Sequence, residues 1–397
     1  MPPDAEVLVL GAGIAGCALA YHLVRRGVGP VVLYDPRTPS AGATGRAAGI
    51  VTEQLWNPWD VEVTRESKAE YGQLSARFDP TAYSANGFVR WASGPEARRS
   101  LDAATARQRS WGVDVREIDP DRLGELLPSA KFDDRPRAVL GESDAVVTPS
   151  AMAEIYERLA RSAGAETTFG ATWISLTHRS DGWELATSAG TLRGRQAVVA
   201  AGAWTKRILE GLGRALPLAP YRTQAALLRP AERADRFPSF HEVDSDVYGR
   251  PEANGRVLVG DGTELSEVDP ETYRSGADEA FVTHLAEVFD RRIPGWRGAE
   301  LVRAWAGVCT ATPDRRPVVG PLPGGDQLWV MAGFNGFGVM RAGGVASRLA
   351  DLIASGGHGA RVADRLSPAL PSRFRGFPAS FAVRPGFTLD DGEDPRY

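Results

Sequence analysis

Residues 6–16, Glu6-Val-Leu-Val-Leu-Gly-Ala-Gly-Ile-Ala-Gly16, decide the fold of the N-terminal part of the chain. The apolar run Val7–Leu10 ends at a glycine, which predicts that Glu6 to Leu10 form a buried strand, and Ile14 to Arg26 carries apolar residues at helical spacing. Gly27 is a suitable C-terminal stop for that helix. A second apolar run, Val31 to Tyr34, ends at Asp35. We therefore predict a strand–helix–strand unit with parallel strands, covered by helices.

The spacing of the three glycines is typical of a dinucleotide-binding turn. Gly11 permits a tight turn, Gly13 lets a pyrophosphate approach the backbone, and Gly16 lets the helix pack closely on the strand. The helix N-terminus offers free N–H groups to the phosphates. Asp35 lies 19 residues after Gly16, where its carboxylate can accept hydrogen bonds from ribose hydroxyls. A 2′-phosphate would be repelled there, so the motif favours NAD or FAD over NADP.

Length and composition exclude several classes of protein. The chain has 397 residues, of which 43% are hydrophobic and 24% charged, so we expect a folded protein of about two domains. A net charge of −4 argues against a nucleic-acid partner. The two cysteines are far apart and the five histidines show no metal-ligand spacing, so neither a disulfide framework nor a metal site is expected, and each histidine is expected to be structural or on the surface. The run from Val7 to Tyr21 is apolar enough to resemble a signal segment, but it contains three glycines, has no basic residues before it and is too short to span a membrane, so we expect a cytoplasmic protein.

Two further apolar runs, residues 196–200 and 327–331, end in small residues, and the second precedes a predicted helix at 342–353. These runs predict one sheet assembled from separated segments. The intervening stretches are richer in charge and contain short strand-like pieces, such as Arg256 to Gly260. The predicted fold class is α/β, a Rossmann-like dinucleotide-binding domain with an inserted α+β substrate domain on a mixed or antiparallel sheet. The predicted boundaries are 1–85, 148–215 and 302–360 for the first domain, 86–147 and 216–301 for the second, and 361–397 for a C-terminal extension.

Six further motifs occur in a characteristic order along the chain: Ser40–Gly49, Val199–Trp204, Trp305–Gly307, Thr312–Asp314, Arg316–Gly320 and Ala332–Gly338. Together with the N-terminal turn they resemble the D-amino acid oxidase superfamily of FAD-dependent amine oxidoreductases, in particular its glycine oxidase and sarcosine oxidase branch. The resemblance spans most of residues 5–355. It implies bound FAD, a small-molecule amine as substrate, and O₂ or another electron acceptor.

The resemblance and the motifs together assign a set of cofactor-binding residues. These are Gly11, Gly13, Ile14, Ala15, Gly16, Asp35, Pro36, Thr44, Gly45, Arg46, Ala47, Ala48, Gly49, Trp173, Ala201, Gly202, Trp204, Gly307, Gly333, Asn335, Gly336, Phe337, Gly338, Val339 and Met340. Backbone N–H groups between Thr44 and Gly49 are expected to meet the flavin ring nitrogens. The helix after Gly338 is expected to stabilise negative charge on the reduced ring.

The sequence departs from the family where the cofactor and the substrate would be fixed. Monomeric sarcosine oxidases attach FAD through a cysteine whose position is Gly307 here, so a non-covalent flavin is expected. Glycine oxidases bind the substrate carboxylate with an arginine at the position of Cys309, which cannot form that bidentate pair. Either another arginine binds the carboxylate or the substrate is not a small free amino acid. Arg222 and Arg341 are the candidates for that arginine, each with an ordinary packing role as the alternative.

Two further positions bear on the substrate site. The lysine that promotes reaction with oxygen in monomeric sarcosine oxidases corresponds to Leu258, which leaves oxidase and dehydrogenase chemistry both open. Tyr248 matches a family tyrosine that faces the substrate and is a candidate hydrogen-bond donor to a substrate carboxylate, with an aromatic packing role as the alternative. Tyr248, Arg222, Arg341 and Cys309 are thus the candidate substrate-binding residues. No side chain is assigned as catalytic, because the flavin carries the chemistry.

The resemblance implies oxidation of the C–N bond of a primary or secondary amine, an amino acid or an N-substituted glycine, by hydride transfer to flavin N5 followed by hydrolysis of the imine. Two alternatives keep the fold. One is a flavin dehydrogenase of a 2-hydroxy acid or polyol phosphate, and the other is the flavin subunit of a multi-chain amine dehydrogenase. Homo-oligomerisation is also left open.

Overall fold

The computed structural model describes residues 4–132, 136–231, 237–261, 266–357, 364–378 and 381–383. The described residues form twenty β-strands and eight α-helices. The helices are α1 Ile14–Arg25, α2 Pro58–Phe78, α3 Pro95–Ser110, α4 Pro120–Leu126, α5 Pro149–Ser162, α6 Thr205–Gly211, α7 Glu279–Arg292 and α8 Gly338–Ala354. The strands are β1 Ala5–Leu10, β2 Val31–Asp35, β3 Ile50–Val51, β4 Tyr83–Ser84, β5 Phe88–Ala92, β6 Arg116–Glu117, β7 Arg137–Gly141, β8 Ala145–Val147, β9 Glu166–Phe169, β10 Trp173–Arg179, β11 Gly182–Thr187, β12 Gly190–Val199, β13 Ala219–Arg229, β14 Ser239–Glu242, β15 Val247–Glu252, β16 Arg256–Asp261, β17 Ser266–Glu267, β18 Glu300–Ala311, β19 Val318–Pro321 and β20 Leu328–Ala332.

The first sheet is built around five parallel strands in the order β9-β2-β1-β12-β20. The antiparallel strand β19 extends it beyond β20, and the β10–β11 hairpin extends it from β12. The strand–helix–strand unit predicted from residues 6–35 is therefore present at the centre of this sheet. Its flanking strands come from distant parts of the chain, as the apolar runs predicted.

Both faces of β1 are buried. Val7 and Val9 face a core that contains residues of α1, α5 and α8, whereas Leu8 and Leu10 face a second core beneath the β10–β11 hairpin. Each of these four side chains is at most 1% exposed. Burial on both faces explains the uninterrupted apolar run, which is the usual pattern of a parallel strand covered by helices.

The second sheet is mixed, with the strand order β17-β13-β16-β15-β14-β5-β7-β6 and β18 paired to the other edge of β13. Only the β14–β5 pair is parallel within the described ladder. Helices α4 and α7 cover one face of the sheet. A small third sheet has the strand order β3-β8-β4. Strand β3 precedes α2, β4 follows α2, and β8 precedes α5.

Two of the predicted boundaries fall differently in the structure. Strand β18 pairs with β13 along its whole length, so it belongs to the second sheet, although the boundary at residue 302 cuts through it. Strand β8, placed in the 86–147 segment, pairs with β3 and β4 instead. These partners lie far away in sequence, and only the hydrogen-bond register reveals them.

Two other predictions concern the C-terminal part. Helix α8 begins at Gly338, four residues before the predicted start, because the end of the glycine-rich turn is already helical. The described part of the predicted extension packs against the first domain, where Leu366 and Ala369 are fully buried. Residues 361–363, 379–380 and 384–397 of that extension lie outside the described residues.

Candidate functional site

The glycine-rich turn after β1 has a geometry that larger residues cannot adopt. Gly11 has φ +115°, and a Cβ there would lie 2.4 Å from the carbonyl oxygen of Ala200. A Cβ on Gly16 would lie 1.8 Å from the carbonyl oxygen of Gly11. Helix α1 therefore starts directly against the strand, and its N-terminus points to the carboxyl edge of the sheet, where ligands of such folds bind.

Asp35 stands at the end of the neighbouring strand β2. One of its carboxylate oxygens accepts a hydrogen bond from the N–H of Ala12 at 2.9 Å, and the other accepts one from the N–H of Arg37 at 2.9 Å. These bonds fix the carboxylate at the end of the turn. It also lines the cavity described next, so its remaining lone pairs face the place where a ribose would lie.

A cavity of about 1050 Å³ runs from this turn to the second sheet. Its volume is at the upper end of the range of about 300–1,000 Å³ that is usual for small-molecule sites, and it is large enough for a dinucleotide. All but two of the residues predicted to bind the cofactor line it. The two exceptions are Gly16 and Gly45, and both have a packing function, since a Cβ on Gly45 would lie 2.5 Å from the carbonyl oxygen of Ser40.

The segment from Thr44 to Gly49 forms one wall of the cavity. The hydroxyl of Thr44 accepts a hydrogen bond from the N–H of Ile14 at 3.0 Å, which joins this segment to the start of α1. The guanidinium of Arg46 donates to the carbonyls of Ala41 and Gly42, and the carbonyl of Arg46 accepts from the indole N–H of Trp305 at 3.0 Å. The backbone is therefore held firmly and presents its surface to the cavity.

The opposite wall comes from the turn that leads into α8. Asn335, which is 1% exposed, donates its backbone N–H to Thr310 and accepts the N–H of Thr312 at 2.8 Å. These bonds tie the turn to the end of β18. Phe337, Gly338 and Val339 line the cavity at the N-terminus of α8, where uncapped N–H groups favour negative charge.

Tyr248 and Cys309 line the part of the cavity that lies against the second sheet. The ring of Tyr248 lies across Gly260, where a Cβ would be 2.3 Å from the phenol oxygen. Burial raises the pKa of Tyr248, so the phenol stays neutral and is able to donate a hydrogen bond. Burial also raises the pKa of Cys309 to about 11, so the thiol stays protonated at neutral pH.

The two arginines predicted to bind a substrate carboxylate do not line the cavity. Arg222 is on the opposite face of β13 from Tyr221 and Thr223, and its guanidinium pairs with Asp278 at 2.6 Å. Arg341 is fully buried between α8 and α2, where it lies 3.2 Å from Asp60. The geometry contradicts the expectation for both residues, because each guanidinium already has an internal carboxylate partner.

Several polar residues that face the cavity were not predicted. Arg90, His241, Asp246 and Asp261 all come from strands or turns of the second sheet. The histidine was expected to be structural. For Arg90 there is a signal in the sequence, since the strand Phe88-Val-Arg-Trp-Ala92 places one charged residue on the same face as Phe88 in an otherwise apolar run.

The glycine-rich turn, the acidic residue after the second strand and the long cavity meet at the carboxyl edge of a parallel sheet. This combination defines a dinucleotide-binding protein. The model of the family described as "FAD dependent oxidoreductase" (DAO) matches residues 6–352. The chain therefore belongs to the DAO family of FAD-dependent oxidoreductases, and FAD is its cofactor. The residues around the cavity fit this cofactor, since Gly13 lines the cavity at the N-terminus of α1 and has no side chain to keep a pyrophosphate away from the backbone N–H groups.

The chain is similar to dimethylglycine dehydrogenase of Rattus norvegicus, with 27% identity over 386 residues that cover 89% of this chain and 44% of the relative. It is also similar to the glycine oxidase of Pseudomonas aeruginosa, with 28% identity over 88% of this chain and 94% of that protein. The chain thus spans less than half the length of the dimethylglycine and sarcosine dehydrogenases that it matches. Among solved structures, L-proline dehydrogenase from P. horikoshii shares the fold, with a TM-score of 0.85, 23% identity, and coverage of 95% of this chain and 99% of that one.

Of the helices that the structure describes, none combines the length and the apolar character needed to cross a membrane. The same described residues contain no cluster of three or more His, Cys, Asp or Glu side chains arranged to hold a metal ion.

Proposed function

We propose that this protein oxidises the C–N bond of an amine, of the amino acid or N-substituted glycine class, with non-covalently bound FAD. The relatives support the choice of substrate, because by name they include dehydrogenases of dimethylglycine and sarcosine, a glycine oxidase and a 4-methylaminobutanoate oxidase. These names favour amines over the hydroxy acids or polyol phosphates of the alternative hypothesis.

The observation that carries the proposal is the continuity of one cavity. It joins the turn at Gly11 to a polar pocket on the second sheet, where Tyr248, His241 and Asp246 lie together. When bound, FAD supplies the electrophilic ring that accepts a hydride from the carbon next to the amine nitrogen. The protein's part is to place that carbon against the ring and to hold the amine in its neutral form.

Different residues around the cavity would bind the cofactor and the substrate. The turn from Gly11 to Gly16 would hold the pyrophosphate, Asp35 the ribose, and the Thr44–Gly49 wall the ring. The phenol O–H of Tyr248 donates a hydrogen bond to the substrate. The His241–Asp246 pair, with its Nε2–Oδ1 distance of 2.6 Å, is placed to accept the proton that a protonated amine must lose.

A non-covalent flavin is supported by the chemistry of Cys309. The position that would carry an attaching cysteine is Gly307, and the protonated thiol of Cys309 is a poor nucleophile. We therefore expect acid denaturation of the purified protein to release all its yellow colour into the supernatant. Colour that stays with the precipitated protein would show a covalent link.

Anaerobic mixing tests the reaction itself. Purified yellow protein is mixed without oxygen with a panel of amines, namely glycine, N-methylglycine, N,N-dimethylglycine and L-proline, and in parallel with a panel of 2-hydroxy acids. We expect the visible flavin absorption to bleach with at least one amine and an imine-derived amine, ammonia or aldehyde to appear. Bleaching by a hydroxy acid alone would refute the proposal. Readmission of oxygen then separates an oxidase from a dehydrogenase that needs another acceptor.

The cellular location of the reaction is part of the same proposal. We infer a cytoplasmic enzyme, since the two cysteines of the described structure are unpaired and a reducing compartment suits them. Fractionation of the source cells tests this directly, and recovery of the protein outside the cytoplasmic fraction would contradict it.

A further inference from the structure

Polar side chains form a row across the cavity face of the second sheet. The register of the strands places Arg90 on β5 opposite His241 on β14, and His241 opposite Tyr248 on β15. All three line the cavity. The residues on either side of Arg90 in β5, Val89 and Trp91, point to the opposite face of the sheet and into the apolar core. The three polar side chains therefore share one face and converge on one pocket.

Arg90 differs from its neighbours in that row because it has no partner. Within the described part of the chain its guanidinium makes no hydrogen bond, ion pair or ring contact. Asp246, an acidic side chain that also lines the cavity, is paired with His241 at 2.6 Å. Arg90 is half-buried and lines the cavity, and none of its nitrogens is fully buried, so its N–H donors are available to an anion in the cavity.

The other arginines of the cavity are accounted for. Arg37 stacks on the ring of Trp204 at 4.4 Å, at the nucleotide end. Arg46 donates to two backbone carbonyls, and Arg207 is exposed on α6. Among the cavity-lining arginines of the described structure, Arg90 alone is both half-buried and unpaired on the second sheet.

We propose that Arg90 is the residue that binds the carboxylate of the substrate. This inference rests on the proposed function and names the side chain that recognises the acid group of its substrate. A guanidinium presents two parallel N–H donors that match a carboxylate, and such a pair is charge-assisted. Arg90 then fixes the acid end of the substrate, while Tyr248 and His241 stand beside the amine end. Arg90 would thus supply the recognition that Arg222 and Arg341 do not provide.

The test compares Arg90→Gln and Arg90→Lys with a matched control, Arg116→Gln. Arg116 lies on β6 at the edge of the same sheet, and its side chain is 60% exposed. Each variant is first checked for bound flavin and for thermal stability equal to that of the wild-type protein. Binding is then measured without turnover, by titrating the flavin absorption spectrum with (methylthio)acetate, a carboxylate that lacks the amine.

Loss of the charge-assisted pair in Arg90→Gln is expected to raise the Kd for (methylthio)acetate by roughly 10- to 100-fold, with a similar rise in KM for the amino acid and a smaller change in kcat. Arg90→Lys should recover part of the affinity, because lysine keeps the positive charge but lacks the two parallel N–H donors of a guanidinium. Arg116→Gln should match the wild-type protein. An unchanged Kd in Arg90→Gln, or no binding of (methylthio)acetate to the wild-type protein, would overturn the inference.

A second arm separates this inference from the proposed function. N-methylglycine and its primary amide are similar in size and shape, but the amide has no negative charge and offers N–H donors where the carboxylate accepts, so the amide should reduce the wild-type flavin with a much higher KM. If the amide and the acid are equally good substrates, the inference about Arg90 is wrong and amine oxidation stands. If no amine reduces the flavin, the proposed function is wrong, and the carboxylate titration still decides what Arg90 binds.

Discussion

The buried pair of Asp60 and Arg341 gives the sharpest test of which arginine serves the substrate. Arg341 is fully buried, and it lies 5.3 Å from the ring centre of Phe337. Its closest nitrogen is 3.2 Å from Asp60, yet none of its nitrogens has a well-aligned hydrogen bond to a described residue. Burial raises the pKa of Asp60 and lowers the pKa of Arg341, so burial disfavours the charged form of each.

Removal of one partner leaves an uncompensated buried charge, which typically costs about 3–5 kcal/mol. We therefore expect Asp60→Asn and Arg341→Met each to lose that much of the free energy of unfolding. The double variant buries no charge, and replacement of a whole buried pair is often neutral or stabilising by about 1–4 kcal/mol. The double variant should accordingly be more stable than either single variant.

Urea denaturation of the four proteins gives the coupling free energy, and KM for the amine substrate is measured on the same samples. If Arg341 only stabilises the packing of α8 on α2, the folded double variant keeps a KM close to that of the wild-type protein. A KM raised by roughly tenfold or more in a stable double variant would show that Arg341 contacts the substrate, and the structural argument would be refuted. Additive losses in stability would refute the pairing itself.

Three further results are expected. Gly16→Ala should yield protein without bound flavin or no folded protein, since its Cβ would lie 1.8 Å from the Gly11 carbonyl oxygen, and flavin content per protein measures this. Gly260→Ala should displace the Tyr248 ring and raise KM as much as Tyr248→Phe does, roughly tenfold or more; normal binding in a stable Gly260→Ala protein would contradict that placement. Burial raises the pKa of Asp144 to about 6, above its ordinary value of about 3.9. The folded state therefore holds the proton more tightly, and a stability contribution of about 3 kcal/mol, fully present below about pH 4, should be lost as the pH rises from about 4 to about 6. Urea denaturation at about pH 4 and above about pH 6 measures this change in the free energy of unfolding. Asp144→Asn should reduce the change between the two pH values.

The cofactor end of the molecule could be predicted from sequence because its determinants are local. The turn from Gly11 to Gly16 needs glycine at fixed intervals whatever surrounds it, and Asp35 follows within the same strand–helix–strand unit. The motifs at Ser40–Gly49 and Ala332–Gly338 then predicted cavity walls that the structure brings together. The start of α8 was misplaced by four residues, since its first residue, Gly338, also ends the glycine-rich turn in the sequence pattern.

The substrate end depends on contacts between distant segments. Arg90 and His241 are 151 residues apart in sequence and become neighbours only through the register of β5 and β14. Strand pairing across the mixed sheet sets that register, and it also sets the side of β13 from which Arg222 extends. A shift of one residue in the pairing would turn each side chain to the other face. The amino-acid sequence by itself therefore determined the nucleotide-binding unit and the chemical class of the cofactor. The tertiary structure alone decided which charged side chains face the cavity and which are neutralised inside the protein.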